Sequence, residues 1–229
     1  AGGMSGYIVP GVVDPTPYYP APVAAATVDI LAYLRGEHRR QFDMGHNVNG
    51  GGTQTVQVWH LSPVNWLYVK GEAGEYERLG LQVWNNQEWV HRYEDTSESP
   101  TRFYAHYMSN GGAIGAPWMP RHAVVGRWYD TPKFVQHYLK AGCVKQDSNQ
   151  VTDQLRLLSG PRSVTYSESG ATLNDVITVE WTGGEQYDFA AGRGCVAFRD
   201  ANRRFWFIGD LQGRPDKAYN KPGCVPLGW

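Results

Sequence analysis

The stretch YERLGLQVW (76–84), NNQ (85–87) and EWVHRYED (88–95) decides the class of fold. Two runs rich in aromatic and aliphatic residues flank a polar triplet that is a compact connector. The segment therefore reads as an antiparallel hairpin. RFYAHYM (102–108) follows with the same texture. From Thr53 onward, short runs of this kind alternate with turn residues. Strands are expected at residues 55–61, 66–70, 76–84, 88–94, 102–108, 123–129, 134–139, 155–158, 163–167, 175–181, 187–189, 195–199 and 204–208. The fold class is mainly β: an antiparallel meander of about a dozen strands, forming a barrel or two packed β lobes, with one N-terminal helix.

The composition agrees with this class. Nine Trp, 14 Tyr and 7 Phe make the 229-residue chain 13% aromatic, and 27 Gly and 14 Pro punctuate it. Lys plus Arg number 21 against 22 Asp plus Glu, for a net charge of -1 without long runs of either sign. Nucleic acid and anionic membranes are recognised by clustered cations, so neither is expected as a partner. No stretch approaches about 18 uninterrupted apolar residues. The chain begins at Ala1 in place of Met, which fits a mature chain after signal removal, and secretion is the expected localisation.

Three regions are expected. Residues 1–22 form a Pro/Gly-rich arm, denied both helix and central strand by its prolines. Residues 23–145 carry the helix, placed at 23–40 with Val23, Ala26, Ile30, Tyr33 and Leu34 near one face, followed by the main β region. The polar break QDSNQ at 146–150 opens a smaller C-terminal β region and a coil tail, 146–229. Cys143, Cys195 and Cys224 allow three single-bridge pairings, among which spacing does not choose.

Strand alternation suggests a binding surface. On 88–95 it places Trp89, His91, Tyr93 and Asp95 on one face, and on 102–108 it places Tyr104, His106 and Met108 together. Aligned, these faces offer rings to stack on the apolar sides of sugars and polar groups to bond their hydroxyls. Trp118, in the Gly/Pro-rich loop 109–121, supplies a further platform. The expected ligand-binding residues are thus Trp89, His91, Asp95, Tyr104 and Trp118. Aromatic residues also favour strands for packing alone, so each ring has a structural alternative.

Other chemistry finds less support. The histidines at 46, 60, 91, 106, 122 and 137 follow no metal-ligand spacing, and no phosphate loop, dinucleotide fingerprint or nucleophile elbow is present. Neither a metal nor a cofactor is expected. The reading is a secreted, non-enzymatic carbohydrate-binding protein whose partner is a glycan or polysaccharide. One alternative is a carbohydrate-active hydrolase or lyase using two of Glu88, Glu94, Asp95, Glu180 and Asp188 across a scissile bond. Another is a structural or assembly protein whose terminal arms engage further copies, so self-association is allowed.

Overall fold

A computed structural model describes residues 26–35, 41–46, 53–70, 75–95, 101–109, 112–167, 169–201 and 204–211, some strand residues through their backbone alone. The described chain is mainly β and antiparallel, with a single turn of α-helix. Its elements are β1 (Thr27–Asp29), α1 (Leu31–Leu34), β2 (Gln41–His46), β3 (Thr53–Ser62), β4 (Asn65–Lys70), β5 (Glu75–Trp84), β6 (Gln87–Asp95), β7 (Arg102–Tyr107), β8 (Ala116–Pro120), β9 (His122–Val124), β10 (Trp128–Leu139), β11 (Val144–Thr165), β12 (Thr172–Trp181), β13 (Gln186–Ala190), β14 (Gly194–Arg199) and β15 (Arg204–Leu211).

Thirteen strands form one sheet in the order β5-β4-β3-β2-β15-β14-β13-β12-β11-β10-β7-β6-β8, and β5 also pairs with β6. Two meanders, β2 to β5 and β10 to β15, meet where β15 pairs β2. The opening hairpin forms as expected: Asn85 and Asn86 sit at φ 50° and 61°, the conformation of a two-residue turn that matches strand twist.

The sheet curls upon itself, because rings from strands that are not neighbours in the ladder meet. Tyr68 of β4 lies 6.5 Å from Phe189 of β13, and Trp118 of β8 lies 5.9 Å from Trp181 of β12, both edge-on. Enclosed among them are Val58, Trp66, Leu79, Leu155, Leu157, Ile177 and Val179, with Ile30, Tyr33 and Leu34 around α1 packed into the same cluster. Strand alternation sends Val176 and Ala190 to the other face, where they join Tyr166, Leu173, Val196, Ala197 and Phe207.

Several expectations change. Within the expected helix, only Leu31–Leu34 is helical among the described residues. The β-branched Thr27 and Val28 pair with β9 instead, and the Asp29 carboxylate accepts the Leu31 N–H at 3.1 Å. The 109–121 loop contains a strand, β8, buried at every position. Its Pro117 and Pro120 fit because β8 ends the ladder and pairs only with β6, leaving an edge where no N–H is needed.

Residues 146–150 are strand, paired with β10 through Val135↔Asn149 and Phe134↔Gln150. Polar residues suit that stretch because β12 pairs with β11 only from Leu155 onward. The arm at 1–22 and the tail beyond residue 211 lie outside the described residues. Cys195 is a buried thiol outside any disulfide, so the two pairings that require it do not form. The third, Cys143–Cys224, reaches a residue outside those described.

Candidate functional site

The site grows out of an irregularity in the β5–β6 hairpin. Leu79 pairs with Arg92 but Arg78 pairs with Glu94, so Tyr93 is an extra residue on β6. A bulge of this kind resets the alternation of side chains. Arg92 and Asp95, three apart, consequently share a face with Glu77, which lies directly opposite Asp95. The Arg92 guanidinium donates to Glu77 at 2.5 Å and lies 3.7 Å from the Asp95 carboxylate.

The next strands extend this face. Asp95 is opposite Tyr104 of β7, Tyr104 is opposite His137 of β10, and His106 is opposite Val135. The Tyr104 and His137 rings meet edge-on at 4.6 Å, and His137 Nδ1 lies 2.8 Å from the Asp147 carboxylate. Lys133, two residues before Val135, bonds Asp153 of β11. An aromatic wall faces these groups: the Arg92 guanidinium lies 5.5 Å from the Trp181 ring, and Trp181 contacts Trp118 at 5.9 Å and Tyr187 at 6.3 Å. The arrangement joins paired charges to rings in edge-on contact within one curled sheet.

Burial shapes the electrostatics. Desolvation works against the Arg92 charge, but Glu77 and Asp95 more than offset it and hold its pKa above the ordinary value. His106 is 4% exposed, and neither ring nitrogen has a hydrogen-bond partner. Burial, then the charges of Arg92 and Lys133, push its pKa well below that of a free imidazole, against the pull of Asp95. It is therefore a neutral ring with one open donor and one open acceptor. Trp118 Nε1 and Tyr68 Oη are also buried without partners. Trp89 Nε1 and both His91 ring nitrogens are likewise buried without partners, so such atoms are not confined to this face.

The five expected residues divide. Asp95 and Tyr104 belong to the charged face, and Trp118 to its aromatic wall. Trp89 and His91 do not join them: they pair with Gln82 and Gly80, opposite in alternation to Glu77 and Leu79. The bulge thus separates them from Asp95. Neither tryptophan is an exposed platform, because Trp89 is 7% and Trp118 6% exposed. Trp89 packs edge-on against Trp84 at 4.7 Å and Tyr129 at 5.9 Å.

Glu77, Arg92, His106 and Lys133 were not among the expected residues. Alternation already placed His106 beside Tyr104; a two-residue turn at Asn85-Asn86, shorter than the expected connector 85–87, aligns Leu79 with Arg92, and the bulge had no sequence signal. Among the described residues no three His, Cys, Asp or Glu side chains are grouped to hold a metal ion. Comparisons with protein-family models, curated proteins and solved structures return no match to this chain.

Trp89→Ala should lower stability by about 3–5 kcal/mol, the cost of emptying a large buried aromatic site, read as a fall in the urea midpoint; an unchanged midpoint would place Trp89 outside the core. Burial lowers the His91 pKa from 6.5 to about 4. The unfolded chain then gains a proton, as pH falls through 6.5, that the folded chain refuses until about 4. Stability attributable to His91 is present above this window and is lost across it, at up to about 1.4 kcal/mol per pH unit. Urea midpoints across that range should fall less steeply for His91→Gln than for the wild type.

Proposed function

We propose that the protein is a carbohydrate-binding protein that does not cleave its ligand, and that the glycan lies against the inner face shared by β5, β6, β7 and β10. The observation that carries this reading is His106, buried with both ring nitrogens unbonded on the face where the Arg92 guanidinium meets the Trp181 ring. Sugars need both elements, flat apolar area for the ring faces and polar groups for the hydroxyls. Trp181, Trp118 and Tyr187 supply the first; Asp95, Tyr104 and His106 supply the second. We read the return of the pairing ladder from β6 to β5 as a barrel whose interior holds this site, a common place for a ligand in β architecture.

The hydrolase alternative has one observation in its favour: Glu77 and Asp95 are directly opposed across β5 and β6, where side chains lie about 5 Å apart at Cβ. That separation suits a retaining glycosidase. Arg92 engages both carboxylates, however, and hydrolysis needs one of the two to deliver a proton. The binding reading fits that pairing better.

Tryptophan fluorescence during titration with a panel of oligosaccharides tests the proposal. At least one glycan class should give a saturable change, with no reducing ends released. Asp95→Asn should weaken that binding about ten-fold, the scale of one hydrogen bond to a charged group. A flat response from protein shown to be folded by circular dichroism would overturn the binding reading, and release of reducing ends would replace it with the hydrolase.

A further inference from the structure

We infer that the glycan taken by this face is uncharged, with His106 bonding its hydroxyls as donor and acceptor at once; the inference rests on the carbohydrate reading above. The charges around His106 are already spoken for. Arg92 of β6 is held between Glu77 of β5 and Asp95 of β6, and Lys133 of β10 is held by Asp153 of β11. His137 of β10 faces Asp147, and Tyr104 and Tyr187 contribute uncharged hydroxyls.

Both cations are thus engaged by carboxylates. A uronate or phosphorylated sugar would bring another negative charge beside Glu77, Asp95 and Asp153. It would have to draw Arg92 or Lys133 away from the carboxylates that hold them, and breaking such a pair is costly in a desolvated site. A cationic sugar meets the opposite difficulty, because Arg92 already occupies the space over the Trp181 ring at 5.5 Å and both it and Lys133 would repel the newcomer.

What remains open in the region is neutral. His106 has two unbonded ring nitrogens, Trp118 Nε1 is a free donor and Tyr68 Oη a free donor and acceptor. A hydroxyl matches this set, since it both gives and accepts a hydrogen bond. Burial, together with the neighbouring cations, lowers the His106 pKa and keeps its ring neutral through mildly acidic conditions, so binding should not depend on its titration.

The test is calorimetric titration of the full chain with neutral cello-, xylo- and malto-oligosaccharides, with oligogalacturonate, and with chitosan oligomers, each at about pH 8 and about pH 5.5. One neutral class should bind, at least about ten-fold tighter than either charged class, with affinity changing less than about three-fold between the two pH values. His106→Phe should cost about ten-fold in that affinity, whereas His106→Gln, which keeps a neutral donor and acceptor, should stay within about three-fold. Tighter binding of oligogalacturonate or chitosan, or an unaffected His106→Phe variant, would overturn the inference while leaving the carbohydrate reading intact. Absence of binding by every sugar to folded protein would remove that reading, and the inference with it.

Discussion

A guanidinium held between two carboxylates inside a β-sheet is the constraint around which the site is organised. Arg92 is 18% exposed at its side chain, Glu77 12% and Asp95 8%. Charges this far from water are tolerated only when each has a partner. The three groups can meet only because Tyr93 is an extra residue in β6, which turns Asp95 onto the face of Arg92. From that point the register carries the pattern onward, to Tyr104, then to His106 and His137, and through Lys133 to Asp153.

The same bulge sorts the two faces of the hairpin. Arg78 bonds Glu94 through Nε at 2.5 Å and through Nη2 at 2.8 Å, and its guanidinium lies 4.6 Å from the Tyr93 ring. This bidentate pair lies on the opposite side from Arg92, near the cluster of Phe103 and Ala105. Two arginines, Arg78 and Arg92, thus pin β5 to β6 from both faces by the same chemistry. Unbonded nitrogens occur on both faces, those of His106 beside Arg92 and those of Trp89 and His91 on the other.

Much of the architecture was legible in the sequence because it depends on local signals. The runs at 55–61, 66–70, 76–84, 88–94 and 102–108 carry aromatic residues between turn residues, and β3 to β7 lie upon them. Elements were misread where tertiary pairing overrides local character. The helical periodicity of 23–40 lost to the pairing of Thr27–Asp29 with β9, and the prolines of 109–121 concealed an edge strand. The polar 146–150 stretch looked like a connector because its strand is not enclosed by neighbours on both sides. Alternation grouped Asp95 with Tyr104, which the register places opposite each other, but it also grouped Trp89 and His91 with Asp95, because alternation counts two residues per repeat and a bulge inserts one. Burial of Trp89 and Trp118 was equally hidden, since a ring that stacks on a sugar and a ring that packs a core have the same sequence signature.

The account depends most on Arg92 balancing two buried carboxylates, and the stability of Arg92→Met measured against pH tests that claim directly. Removing the guanidinium takes from Glu77 and Asp95 the cation that they share, so the two opposed carboxylates repel each other. The variant should be about 3–5 kcal/mol less stable than the wild type near neutral pH. The deficit should shrink as pH falls through the carboxylate range, because protonation then relieves the repulsion. A loss of less than about 1 kcal/mol, the scale of a solvent-exposed ion pair, or a loss that does not change with pH, would contradict the account.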